Sequence, residues 1–237
     1  MATIAEALER VQERIATAAA RAHRAAGDVT LVAVSKTFPA GDVVAAIEAG
    51  QLQFGENRVE EALAKQDAVA RADVAWHLIG HVQSRKARDA AGRFALIHSV
   101  DSFKLAQKLS AALPPGHTQA VLLQCNVSGE ATKEGYDLAG WQHDAQKLEA
   151  FEADIRQMAG LAGIELQGLM TIAPIFESAE VARPVFASLA VLRESLKQRF
   201  PDMNWRHLSM GMSDDLDAAI AEGATLVRVG RAIFGSR

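Results

Sequence analysis

The sequence predicts an α/β fold, a single (β/α)8 barrel of the TIM type preceded by an extra helix. Three observations carry this reading. Short apolar or β-branched runs alternate with helix-period stretches along the whole chain, the pattern of parallel strands covered by helices. About eight such units fit into 237 residues, close to the ~250 typical of a closed barrel. The G-x-G-x-x-G expected after the first strand of the competing doubly wound sheet is absent. No Pro- or Gly-rich linker divides the chain, so one domain over residues 1–237 is expected.

The elements follow in order. Ile4, Leu8, Val11 and Ile15 recur at helical spacing and predict an amphipathic helix running to near Gly27. The first strand, "TLVAVS" (30–35), ends abruptly at Lys36 and a turn. "LQFG" (52–55), "AWHLIG" (75–80), "FALIHSV" (94–100) and "AVLLQCNV" (120–127) are the next candidates. "LQGLMTI" (166–172), "HLSMG" (207–211) and "LVRVG" (226–230) complete the set. Leu148, Phe151, Ile155 and Met158 mark one crossover helix; Val181, Val185, Leu189, Leu192 and Leu196 mark another. The longest irregular stretch, "SGEATKEGYDLAG" (128–140), is expected as a loop over one barrel mouth.

Composition excludes some functions. The chain is 49% hydrophobic and 23% charged, with a net charge of -4 that disfavours nucleic-acid and anionic-membrane binding. The basic run "SRKARDAAGR" (84–93) has no interleaved aromatics to stack bases and reads as a solvated helix face. No apolar run approaches the ~20 residues of a membrane span, and the N-terminus mixes acids and bases unlike a signal peptide. A soluble, cytoplasmic protein is therefore expected, and the lack of an obvious exposed apolar stripe makes a monomer the expectation. The sole cysteine, Cys125, lies in an apolar run and reads as a buried residue. Neither H-E-x-x-H nor C-x-x-C occurs, so no metal site is expected. Trp76, Trp141 and Trp205 read as packing residues, and Lys133 as a surface lysine.

In such a barrel the working face lies at the C-terminal ends of the strands. Lys36, Glu56, Asn57, His81, Asp101, Asn126 and Thr171 all fall there. The last two units add the segment "SMGMS", with Ser209, Gly211, Met212 and Ser213, and then Gly230 and Arg231. Ser213 is a candidate N-cap for the helix that follows, and Gly230 opens a short final helix. Loops after the seventh and eighth strands, with a short helix start, form the recurrent phosphate site of these barrels. The alternative is that Ser213 only caps and Gly230 only turns the chain.

A phosphate site opposite a strand-end lysine suggests a phosphorylated aldehyde, because a partly desolvated amine forms Schiff bases. Pyridoxal 5′-phosphate (PLP) carries both groups. Arg228, on the same strand face as Gly230, is placed either to meet the pyridine nitrogen or to pair with a carboxylate inside the barrel.

"VAVSKTFP", "FGENRVEEALAK", "WHLIGHVQSRK", "IHSVDS", "NVSGEATKEG", "GLMTIAP" and "LSMGMSDDLDAAIAEGATLVRVGRAIFG" resemble, in order and spacing, the pyridoxal phosphate homeostasis family (the YggS/PROSC type). The resemblance spans Val32 to Gly235. It implies a barrel like the N-terminal domain of alanine racemase, with PLP held as an aldimine on Lys36. It also implies phosphate against the "SMGMS" loop and the backbone at Gly230 and Arg231, and Asn57 beside the cofactor. The implied role is control of free PLP, with PLP-dependent apoenzymes as possible recipients and no established turnover. Arg58, Arg85 and Arg231 depart from the family pattern; at Arg231, where a small hydroxyl residue is common, the backbone N–H remains as the phosphate contact.

Racemisation needs a second acid/base across the cofactor from the lysine. The eighth unit ends near Arg237, so no second domain is expected to supply one, and the only tyrosine is Tyr136 in the long loop. Binding without efficient turnover is thus expected over a racemase-like enzyme. A Schiff-base phosphosugar lyase is disfavoured further, because "LQGLMTIAP" carries no lysine on the sixth strand.

Overall fold

Parallel strands close on themselves in this chain. The computed structural model describes residues 2–130, 132–174 and 179–235; Ala131 of the 128–140 stretch and Arg237, the end of the expected domain, lie outside them. The strands are β1 (Thr30–Val34), β2 (Gln53–Glu56), β3 (Ala75–Leu78), β4 (Leu96–Val100), β5 (Gln119–Asn126), β6 (Tyr136–Asp137), β7 (Ile164–Met170), β8 (His207–Ser209) and β9 (Leu226–Val229). Every pairing is parallel, in the order β4-β3-β2-β1-β9-β8-β7-β5, and β4 pairs with β5 to complete the ring. All eight expected strands are present. β6 is extra, a two-residue strand beside Cys125 and Asn126 inside the stretch expected as loop. Two residues are too short to show a period.

The helices are α1 (Ile4–Arg21), α2 (Ala40–Glu48), α3 (Val59–Val69), α4 (Ala87–Ala90), α5 (Phe103–Ala112), α6 (Ala145–Ala159), α7 (Ala179–Arg199), α8 (Leu216–Ala221) and α9 (Arg231–Phe234). A Thr3–Glu6 capping box opens α1. The helix stops at Arg21 rather than near Gly27. His23 turns left-handed (φ 55°), and the N–H groups of His23 and Arg24 donate to the carbonyls of Ala20 and Ala19, a Schellman closure. The 84–93 run forms only a 3-10 turn (Ser84–Lys86) and the single helical turn of α4, shorter than the expected helix face.

Strand alternation sorts the core into two parts. Outward residues such as Leu31, Ala33, Phe54 and Val227 pack under the helices in the main core, which also takes Trp76, Trp141, Trp205 and Cys125. Inward residues Val32, Leu96, Leu122, Met170 and Leu226 form a small cluster within the barrel. This plug separates the two mouths and leaves the space above it for polar side chains.

Gly168 marks a tight strand contact. Its φ is 142°, and a Cβ there would lie 2.0 Å from the carbonyl oxygen of His207 on β8. Gly168→Ala is expected to lower the unfolding free energy by roughly 2–5 kcal/mol, from backbone strain and overpacking together. Urea unfolding of the two proteins side by side checks this.

Candidate functional site

A cavity of about 560 Å³ opens at the C-terminal ends of the strands. Two residues apart on one strand means the same face, so Val34 and Lys36 come in from the exit of β1, and Arg228 and Gly230 from β9. Asn57 enters from the exit of β2, Met212 and Ser213 from the loop after β8, and Arg231 from the start of α9. Ile79 and Ile172 supply apolar wall. Seven of the nine sequence-derived site residues thus line one cavity. Ser209 and Gly211 do not line it. Ser209 is fully buried behind Arg228, and Gly211, at φ 93°, lets the chain pass α8, where a Cβ would meet that of Ala219 at 2.6 Å.

β9 sits in register with β1, Arg228 opposite Val32. Arg228 is therefore on the floor, and Lys36, four residues beyond Val32, is at the rim. The guanidinium donates to Ser209 Oγ at 2.6 Å and to the Thr171 carbonyl at 2.9 Å. Both acceptors are neutral, so the carboxylate pairing that the sequence left open is not formed. Burial pulls the Arg228 pKa down to about 10, with Asp215 opposing, and the group stays cationic at neutral pH. Two of its five N–H donors are engaged in these bonds, and the cavity lies before it.

Behind Arg228 runs a buried chain that the sequence reading did not find. Ser209 Oγ lies 2.8 Å from His98 Nδ1, His98 Nε2 lies 2.8 Å from His77 Nδ1, and His77 Nε2 lies 2.8 Å from Gln53 Oε1. Burial holds His77 down at about 4 and His98 well below its ordinary value, so both rings are neutral. With Arg228 donating at one end and a carbonyl oxygen accepting at the other, each bond has one direction. Ser209 donates to His98 Nδ1, His98 Nε2–H to His77, and His77 Nε2–H to Gln53. Parity was the available signal: His77 and His98 occupy inward positions on β3 and β4.

The corner after β8 and β9 brings a close backbone pass and a short helix start together. Gly230 passes so close to β1 that a Cβ would lie 3.0 Å from the Val34 carbonyl oxygen. Arg231 and Ala232 open α9, where N–H groups precede the helix's own bonding. Ser213 does not cap a helix as expected. Asp215 is the N-cap residue of α8, its Oδ1 accepts from the Met212 N–H at 2.6 Å, and the Ser213 carbonyl accepts from Arg14. The Arg231 side chain forms an ion pair with Asp214.

The mouth is bridged by His81, whose Nδ1 lies 3.1 Å from Asp101 Oδ2 and 3.2 Å from Glu134 Oε2. Gly80 allows the β2 exit to pass, since a Cβ there would sit 2.4 Å from the Asn57 carbonyl oxygen. Asn126 Nδ2 donates to the Glu130 carbonyl and its Oδ1 accepts from Gly129 N–H, folding the long loop back on β5. Arg58 is exposed at the start of α3, and Arg85 donates to Gln83 at 2.9 Å. Lys133 lies 3.7 Å from Glu130 and does not line the cavity. Among the described residues no group of three His, Cys, Asp or Glu could hold a metal ion, and no helix is long and apolar enough to cross a membrane.

A closed barrel with a lysine at its rim and an arginine on its floor defines a class, and the match to known proteins agrees. Residues 7–237 match the family model of the alanine racemase N-terminal domain. The chain is 46% identical over 241 residues to the pyridoxal phosphate homeostasis protein of Pseudomonas aeruginosa, covering 100% of this chain and 97% of the relative. It is 42% identical over 245 residues to that of Escherichia coli strain K12, covering 100% and 98%. The chain belongs to the pyridoxal phosphate homeostasis protein family. PipY of Synechococcus elongatus, solved with PLP bound, superposes with a TM-score of 0.82 at 37% identity, covering 98% of this chain and 100% of that one. An alanine racemase of Clostridium difficile shares the fold at a TM-score of 0.66 and 15% identity, over 95% of this chain and 56% of that one.

The buried histidines set a pH dependence. His77 titrates near 6.5 when unfolded and near 4 when folded, so between these values the unfolded chain binds more protons and stability rises with pH. Its contribution is fully present above pH 6.5 and is lost as pH falls toward 4. The expected loss is about 3 kcal/mol. Urea unfolding at several pH values checks it, with a shallower slope in His77→Gln.

Proposed function

We propose that this chain, as one barrel domain over residues 1–237, holds pyridoxal 5′-phosphate as a Schiff base on Lys36 and regulates the supply of free cofactor. The observation that carries the reading is the convergence of three chemistries on one cavity of about 560 Å³. An amine stands at the rim, a buried guanidinium on the floor, and a glycine-lined helix start at one corner. PLP has an aldehyde, a ring nitrogen and a phosphate, and the three residue sets fit them in kind. Lys36 takes the aldehyde. Gly230, the Arg231 N–H, Met212 and Ser213 receive the phosphate, with Ser209 and Gly211 supporting that loop from behind. Asn57 lies beside the ring. The PLP-bound structure of the Synechococcus elongatus relative supports the ligand.

Bound PLP supplies an electron-withdrawing ring. The cationic Arg228 on the cavity floor would disfavour a proton on a ring nitrogen held against it, and so would make the ring a weak electron sink. The Tyr136 hydroxyl donates to Asp154 at 2.9 Å and does not line the cavity. Both features support binding without efficient turnover. The protein then acts as a cytoplasmic, monomeric carrier, with PLP-dependent apoenzymes as recipients.

Purified wild-type protein is expected to absorb in the visible after PLP addition, and borohydride to fix the reduced cofactor on the peptide containing Lys36. Lys36→Ala is expected to do neither. A colourless wild-type protein with no trapped peptide would overturn the proposal. Alanine racemase activity is expected to stay at background in the loaded protein; a robust rate lost in Lys36→Ala would instead make it an enzyme.

A further inference from the structure

We infer that Glu61 and Lys65 of α3 are positioning residues for the Lys36 amine, acting through the backbone of the turn that carries it. The inference rests on the reading that Lys36 receives the cofactor. Neither residue lines the cavity, so neither is placed to touch a ligand there.

Lys36 leaves β1 between Ser35 and Thr37, and α3 holds both neighbours. The Thr37 N–H donates to Glu61 Oε1. Lys65 Nζ donates to the Ser35 carbonyl at 2.6 Å, to Glu56 Oε1 at 2.7 Å and to Glu61 Oε1 at 2.9 Å. Ser35 Oγ also donates to Glu56 Oε1, at 2.7 Å. An ammonium has three protons, and here each has its acceptor. Lys65 is 7% exposed and Glu56 is 0% exposed. The Lys65–Ser35, Lys65–Glu56 and Ser35–Glu56 contacts are buried, so losing one of them would leave a buried polar group unsatisfied, while the Thr37–Glu61 bond lies at the exposed edge of the same cluster.

The conformation being held is an unusual one. Thr37 has φ 68°, the left-handed region that a β-branched residue rarely adopts. Its hydroxyl donates to the Lys36 carbonyl at 2.5 Å. Such a residue persists only where its surroundings over-determine it. With the peptides on either side of Lys36 fixed, its Cα–Cβ bond has one direction, and the flexible side chain starts from a set point over the cavity. Ordinary packing of a helix on a barrel does not require hydrogen bonds to the strand-exit backbone. The same segment also gives the cavity Asn57, two residues before α3 begins, so wall and brace belong to one stretch of chain.

The test compares Glu61→Ala with Glu61→Gln. Glutamine retains an oxygen to accept from Thr37; alanine retains none. Three quantities are read: the rate of PLP uptake by visible absorbance with borohydride trapping, the melting temperature, and amide exchange at Thr37 in cofactor-free protein. Glu61→Ala is expected to slow uptake about tenfold and to speed exchange at Thr37, while Glu61→Gln stays within about threefold of wild type. Lys65→Met is expected to slow uptake and also to lower the melting temperature. Wild-type uptake in Glu61→Ala, or a glutamine variant as slow as the alanine one, overturns the inference. If wild type traps nothing on Lys36, the function reading fails instead. Unchanged Thr37 exchange in Glu61→Ala still overturns the brace in that case.

Discussion

Everything at this site hangs on the pairing of the first strand with the last. β1 and β9 join through Thr30↔Leu226, Leu31↔Val227, Val32↔Arg228 and Ala33↔Val229, residues nearly two hundred positions apart in the chain. A slip of one residue would turn Arg228 out among the helices and bring an apolar neighbour inward. The register is held because the inward cluster of Val32, Leu226 and their partners, and the outward row of Leu31, Ala33, Val227 and Val229, are both buried. Closure therefore fixes which side chains share the cavity, and fixes a lysine from one end of the sequence above an arginine from the other.

A guanidinium in that position is expensive to keep. It is buried, with neutral oxygens as its direct partners, so nothing in contact with it cancels its charge. The chain of Ser209, His98, His77 and Gln53 answers the part of the problem that hydrogen bonding can answer. It gives the arginine an acceptor that cannot also compete as a donor, because the serine hydroxyl is committed to His98. Neutral imidazoles serve here where a carboxylate would neutralise the charge and weaken what the floor offers to an electron-rich ligand atom. The stability lost on acidification is the other face of the same choice.

The eight main strands and seven of the residues that line the cavity are legible in the sequence, because alternation and strand-end position are local signals. Lys36, Asn57, Met212, Ser213, Gly230 and Arg231 each sit beyond a strand's C-terminal end, Arg228 sits one residue before it, and closure does the rest. Where α1 stops was not legible, since a histidine rather than a glycine takes the left-handed position. Ser213 fits the usual pattern of a cap, serine before acids, yet Asp215, two residues later, holds that position. His77 and His98 were hidden for a different reason. Each has an apolar run around it and no partner nearby in sequence, and only the barrel puts them 2.8 Å apart.

The same physics places the lysines around this mouth very differently with respect to the proposed aldehyde. Lys65 lies just behind the strand exit, yet its three ammonium protons go to three oxygens and its side chain is buried away from the cavity. Lys86 is paired with Glu60 and Asp89, and Lys133 with Glu130. An ammonium held by three acceptors must give up a proton before its nitrogen has a lone pair to offer, and a buried one cannot be reached. Lys36 is the lysine that the cavity includes. The fold thus places Lys36 on the cavity wall and keeps Lys65 behind it.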